Sequence, residues 1–160
     1  IVSRAAAVRH LSATQRKGTS MEWLHDLDQV DWTASELYRI APLGDKPPDW
    51  LRTAFSNSRY RCFLREGGRL IGSGRALADG VDCAYICDVV VHPERQGEGL
   101  GRAIIARLRD MADGHRKIIL YANPGREGFY RKLGFLRMPT AMAIFRDRDR
   151  ALRDGLVAED

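Results

Sequence analysis

The sequence predicts one α/β domain, on three observations. An apolar, β-branched run from Ile86 to Val91, broken only by Cys87 and Asp88, leads past Pro93 into three glycines at alternate positions, Gly97, Gly99 and Gly101. Residues at helical spacing follow directly: Ile104, Ile105, Leu108, Met111 and Ala112. Upstream, strand-like runs are divided by tight-turn signals at Gly67-Gly68 and Asp79-Gly80, with two helical patterns before them. At 160 residues the chain is long enough to bury one substantial core, and no second-domain boundary or repeat is visible.

Taken in order, Met21–Leu27 alternates loosely and suits a first strand. Asp31 or Thr33 can cap a helix running through Tyr38 and Ile40, with Glu36 three residues after Thr33 in a capping box. Pro47-Pro48 start a second helix that carries Trp50, Leu51, Ala54 and Phe55 on one face. Arg59–Arg65, Leu70–Leu77 and Val81–Val91 read as strands joined by hairpin turns. Asp113-Gly114 ends the helix after the glycines, Lys117–Ala122 is a short strand, and Pro124-Gly125 turns into a helix holding Phe129, Tyr130 and Leu133, with Gly134 at its end. Leu136–Met138 and Ala141–Phe145 can pair as a last hairpin. The domain is therefore expected over residues 21–146, with a charged tail, solvated or helical, over 147–160.

Composition excludes several classes. The net charge is +5, but Arg4, Arg9, Arg16 and Lys17 lie in the first twenty residues, which hold no carboxylate, so the remainder is near +1. A near-neutral domain offers no electrostatic case for nucleic acid. No run of eighteen apolar residues suggests a membrane helix. Cys62, Cys83 and Cys87 form no metal spacing and read as small buried hydrophobes in a reducing, cytoplasmic compartment; no metal is expected. Residues 1–20 read as a disordered or non-native extension, a transit-type peptide being the alternative.

Strand, glycine-rich turn and helix start together make an anion cradle. Glycine lets the backbone approach closely and take positive φ, and a helix N-terminus offers unpaired N–H groups at the positive end of its dipole. Arg95 and Arg102 flank the turn, either as phosphate donors or as ordinary solvated cations. The spacing is neither a dinucleotide fingerprint nor a P-loop. It is Gln96-Gly97-Glu98-Gly99-Leu100-Gly101, which resembles the Q/R-x-x-G-x-G/A loop of the GNAT superfamily of N-acetyltransferases. Phe129-Tyr130-Arg131-Lys132-Leu133-Gly134-Phe135 resembles that family's F-Y-x-x-x-G-F, and Asn123 matches an asparagine the family often has seven residues before the tyrosine.

The element order matches the family's over about residues 21–146. Arg75-Ala-Leu-Ala-Asp-Gly80 followed by Ile86-Cys-Asp-Val-Val-Val-His-Pro93 is similar to small bacterial and plastid enzymes related to plant serotonin N-acetyltransferases. The resemblance implies an α/β (α+β) GNAT fold: a mixed sheet of about seven strands, splayed at the acetyl-CoA site, flanked by about four helices. It also implies an acetyl-CoA-dependent transferase, acting on an amine by direct attack, and suggests a homodimer. An acetyl-CoA-binding module without transfer activity is the alternative.

By that resemblance the cofactor grip is Arg95, Gln96, Gly97, Glu98, Gly99, Leu100, Gly101 and Arg102, with Val89 and Val91 pairing the pantetheine arm and the Val89 N–H facing the carbonyl oxygen. Tyr130 matches the tyrosine that protonates the CoA sulfur. Asn123 bonds the cofactor, orients Tyr130, or starts a turn. Related enzymes often carry a glutamate where this chain has Cys87. Its neighbour Asp88 is the candidate base, but strand alternation sets 87 and 88 on opposite faces unless a bulge intervenes. The alternatives are a structural role for Asp88 or a water chain, with Tyr85 as a relay. The acceptor pocket is expected from Leu37–Ser58 and the last hairpin, with Tyr38, Trp50, Phe55 and Tyr85 around a small-molecule amine; Glu36, Asp45 and Asp49 are the nearby carboxylates. Polyamines, peptide N-termini and protein lysines stay open as acceptors.

Overall fold

A computed structural model describes residues 20–32, 35–41 and 46–159. The expectations for residues 1–19, for the Thr33 cap with Glu36, and for Asp45 fall outside the described residues or side chains. Five strands form one sheet in the order β1 (Met21–Leu24), β2 (Tyr60–Glu66), β3 (Arg69–Ala78), β4 (Cys83–Val91) and β5 (Lys117–Ile119). The first four are antiparallel and β4–β5 is parallel. Around the sheet lie α1 (Ser35–Ile40), α2 (Pro48–Ser56), α3 (Leu100–Met111), α4 (Glu127–Arg131) and α5 (Arg148–Arg153).

Each face of the sheet carries its own core. Phe63 and Val90 pack with Leu37, Tyr38, Leu51 and Phe55 of α1 and α2. Cys62, Ala76 and Ile86 pack with Ile104, Ile105 and Leu108 of α3. The period-two alternation of Cys62 and Phe63 assigns them to opposite faces, and the 3.6-residue spacing along α3 turns one apolar stripe onto β3. Burying a side chain the size of Phe55 or Ile104 stabilises the fold by about 1.5–3 kcal/mol.

Beta-branched residues and glycines make the contact between α3 and β3 close. A side chain at Gly74 would meet Ile104 Cγ2 at 2.7 Å, and one at Gly72 would meet Ile104 Cδ1 at 3.0 Å. Gly99, the residue before α3, has a left-handed φ of 83°, and no side chain caps the helix.

One expectation needs correction. Among the described residues the sheet has five strands rather than about seven, because Leu136–Met138 and Ala141–Phe145 form no ladder. Alternation alone cannot supply a partner edge: β5 is only three residues long, and Leu136, Met142 and Ile144 remain 89%, 97% and 102% exposed. Within the charged tail a helix forms. α5 is capped by the Asp147 side chain, which accepts from the Arg150 N–H at 2.9 Å, and it buries Ala151.

Candidate active site

The site is built where β4 parts from β5. β4 pairs with β3 from Ala84 to Val91, but with β5 only across Cys83–Tyr85. From Ile86 onward the β5 side of β4 has no partner strand among the described residues. His92 donates its N–H to Ile71 O of β3 at 2.8 Å. Backbone groups alternate sides along a strand, so Val90 also faces β3, while Val91 and Val89 turn toward the gap. Gln96 Nε2 donates to Val91 O at 3.2 Å, which ties the glycine loop to this strand.

A bulge sits in the middle of β4. Arg75 pairs with Cys87 and Ser73 with Val90, so β4 holds one more residue than β3 over that interval. Asp88 absorbs it with a φ of 50°, the one described non-glycine residue at positive φ. The parity of the strand changes there: Ile86 faces α3, and so do Val89 and Val91. The bulge therefore brings Cys87 and Asp88 together beside Arg75, as the strand's alternation alone would not.

Asp88 is held between two cations. Lys46 Nζ donates to Oδ1, and Arg75 Nε donates to Oδ2 at 2.6 Å. Burial works to raise its pKa, but the hydrogen bonds and charges of Lys46 and Arg75 outweigh it and hold the carboxyl below its ordinary range. A carboxylate so stabilised is a weak proton acceptor. Its geometry fits the structural reading, with side-chain cations rather than backbone N–H groups as partners. Burial pushes the Cys87 thiol up to about 11, which leaves it protonated and a poor nucleophile at neutral pH.

Beyond β4, Gly97 and Gly99 have φ of 82° and 83°, and a Cβ at either would meet nothing within 4 Å. The backbone there is bare, open, and placed at the N-terminus of a twelve-residue helix, which fits a pyrophosphate. Gly101 allows a close approach: a Cβ on it would stand 3.5 Å from Phe129 Cζ and 3.8 Å from Val91 Cγ2. Arg102 is exposed on the first turn of α3. Arg95 is not available as expected, because its guanidinium is committed to Glu66 and to Glu98 Oε2 at 2.8 Å. Those ion pairs brace the loop against β2.

Tyr130 rises from α4 and packs against the α3-side core that also receives Val89 and Val91. Its ring meets Phe129 edge-on at 5.0 Å and Phe135 at 6.0 Å. Burial raises its pKa, against a smaller lowering by Arg126, so the phenol keeps its proton at neutral pH. The Asn123 carbonyl accepts from the Arg126 N–H at 3.0 Å and starts the turn into α4.

On the acceptor side, Tyr38 and Phe55 are corrections. Both are core: Tyr38 is 2% exposed with its hydroxyl 2.5 Å from Ser73 Oγ, and Phe55 is 0% exposed. Helical periodicity marks an inward face without telling core from pocket. Trp50 lies on the opposite, solvent side of α2, 72% exposed. Tyr85 does line a cleft, of about 670 Å³, together with Ser56, Ser58, Arg59, Leu77 and Cys83. Its ring stacks on Tyr121 at 6.3 Å, which in turn meets Phe145. Lys46, Arg75 and Tyr121 were missed from sequence. A charged residue, Arg75, in the middle of β3 was the available signal for one of them.

Residues 21–135 match the acetyltransferase (GNAT) family. Over 106 residues the chain is 44% identical to serotonin N-acetyltransferase 2, chloroplastic, of Oryza sativa subsp. japonica, covering 62% of this chain and 48% of the relative. It is 40% identical over 126 residues to the N-acetyltransferase ycf52 of Gracilaria tenuistipitata var. liui, covering 72% and 63%. The chain thus spans about half to two thirds of the length of these relatives. Among solved structures, an acetyltransferase from Deinococcus radiodurans superposes with a TM-score of 0.73 at 23% identity, over 84% of this chain and 94% of that one. N-acetylglutamate synthase from Neisseria gonorrhoeae, solved with coenzyme A and N-acetyl-glutamate, superposes at 0.55 and 21% identity, over 74% and 28%. Motifs, fold and family match agree: the chain belongs to the acetyltransferase (GNAT) family.

Proposed function

We propose that this chain is an acetyl-CoA-dependent N-acetyltransferase acting on a primary amine of a small molecule, by direct attack within a ternary complex. The observation that carries the reading is the parting of β4 from β5 after Tyr85, directly beside an open glycine loop at a helix N-terminus. Acetyl-CoA, when bound, supplies an activated acyl group on a good thiol leaving group. Gly97 to Arg102 would receive the pyrophosphate with backbone N–H groups, and Val89 and Val91 would pair the pantetheine arm as an added strand edge. The Val89 N–H faces the gap as a donor to the carbonyl oxygen, where charge develops as the amine attacks. Tyr130, a protonated phenol, is the donor for the departing sulfur.

The amine's proton leaves by water in this reading, because Asp88 is tied to two cations and Cys87 is protonated. The cleft beside Tyr85 takes the acceptor, and the Tyr85–Tyr121 stack suits an apolar or aromatic body. The test is thiol release from acetyl-CoA over a panel of arylalkylamines, polyamines, amino acids and peptides. Amine-dependent release, with acetylated product, is expected for a small amine. Tight acetyl-CoA binding with no release across the panel would overturn transfer and leave a binding module. Release with peptides alone would overturn the small-molecule acceptor.

A further inference from the structure

Two separated parts of the chain, the segment entering α2 and β3, meet at the Asp88 carboxylate of β4. Lys46, two residues before α2, donates to Oδ1. Arg75, in the middle of β3, donates to Oδ2 at 2.6 Å and reaches Ser58 Oγ with Nη1 at 3.2 Å. Ser58 in turn bonds Ala54 O at 2.7 Å, at the end of α2, and lines the cleft beside Tyr85. The side chains of Asp88, Arg75 and Lys46 are 8%, 15% and 33% exposed. Asp88 itself is the bulge residue with positive φ, and the next N–H along the strand is that of Val89.

Such a bulge holds its one-residue offset only if something fixes it; a slip would exchange the sides faced by every backbone group beyond it. Asp88 cannot fix the bulge through its own backbone, which is in a sparsely populated region for a non-glycine residue. Beside the packing of Val89, Val90 and Val91 into the two cores, its two ionic partners, one from β3 and one from the segment entering α2, restrain the bulge residue itself. We propose that Lys46 and Arg75 are positioning residues for acetyl transfer. Through Asp88 they hold the β4 bulge so that the Val89 N–H points into the β4–β5 gap, and Lys46 couples that orientation to the helix bordering the acceptor cleft. The inference rests on the acetyl-transfer reading for its catalytic half, and on geometry alone for its structural half.

Lys46 is the informative position, since its loss leaves Asp88 still paired with Arg75 and the fold intact. Lys46→Met removes the cation and keeps the chain length; Lys46→Arg restores a cation. Three quantities are measured on the full chain: steady-state kinetics with the best amine, acetyl-CoA affinity, and amide exchange of Val90, which faces β3 next to the bulge. For Lys46→Met we expect a fall in kcat of about tenfold, an acetyl-CoA Kd within twofold of wild type, and Val90 exchange faster by tenfold or more. Lys46→Arg should recover both kcat and protection.

Unchanged exchange in Lys46→Met overturns the restraint. Faster exchange with unchanged kcat overturns its link to catalysis. A lower kcat that Lys46→Arg does not rescue overturns the ionic tie as its cause. If the wild-type chain acetylates no amine at all, the acetyl-transfer reading and the catalytic half fall together. The Val90 exchange of Lys46→Met then decides the structural half by itself.

Discussion

A Cβ on Gly74 of β3 would stand 2.7 Å from Ile104 Cγ2 of α3, closer than real side-chain contacts come. The helix that opens at the glycine loop lies directly on the sheet's backbone at this point. Leu108 Cδ1, at 2.9 Å, closes the same space from the next turn. Ile104 and Leu108 are wholly buried, so neither can swing away. Gly74→Ala should therefore destabilise the fold by about 1–3 kcal/mol, the usual cost of overpacking. Urea denaturation of the variant against wild type checks it, and an unchanged midpoint would show that α3 sits farther from β3.

The glycine loop makes the opposite case. At Gly99 a side chain would meet no atom within 4 Å, and the cost of Gly99→Val comes from the left-handed φ of 83°. The backbone should shift at the point where phosphate N–H donors are presented. Acetyl-CoA affinity should fall tenfold or more, about 1.4 kcal/mol, in a variant that still folds. Calorimetric titration measures this; an unchanged Kd would remove the loop from the cofactor site.

Tyr130→Phe keeps the ring that packs against Phe129 and Phe135 and deletes the hydroxyl. A CoA thiol is about as acidic as a cysteine, so thiolate can leave unaided, only less well. With the best amine, kcat should fall by about 10²-fold or more, while melting temperature and acetyl-CoA affinity hold. Turnover within twofold of wild type, with chemistry rate-limiting, would make the tyrosine a packing residue.

Much of this was legible before the structure. The β-branched run, the alternate glycines and the 3.6-residue stripe of α3 are local patterns, and local patterns survive folding. Gly67-Gly68 and Asp79-Gly80 marked real hairpins for the same reason. What failed depends on distance along the chain. Lys46 and Arg75 reach Asp88 across 42 and 13 residues, and no spacing rule links them. Tyr38 and Phe55 looked like pocket lining because periodicity reports an inward face and not what lies beyond it. The last hairpin alternated correctly but found no edge long enough to join.

Asp79 carries a pH signature. Its carboxylate accepts from the N–H groups of Val81 and Asp82, both at 2.8 Å, and of Cys83, in the turn between β3 and β4. Those backbone bonds lower its pKa from 3.8 to about 2. A depressed folded-state value means stability that is complete above the unfolded value and is lost as pH falls through the folded one. The stability gap between wild type and Asp79→Ala should therefore narrow as pH is lowered from 3.8 toward 2. Urea midpoints across that range read it directly, and a gap of constant size would mean the turn does not depend on the charge.

The central claim is that acetyl-CoA lies along the open edge of β4 with its pyrophosphate on the glycine loop. The most direct measurement is titration of isotope-labelled protein with acetyl-CoA, following backbone amides by NMR. The account predicts that the largest shifts fall on Val89, Val91 and the amides from Gly97 to Arg102. Shifts centred on the cleft of Ser58, Arg59 and Leu77, with the glycine-loop amides unmoved, would contradict it.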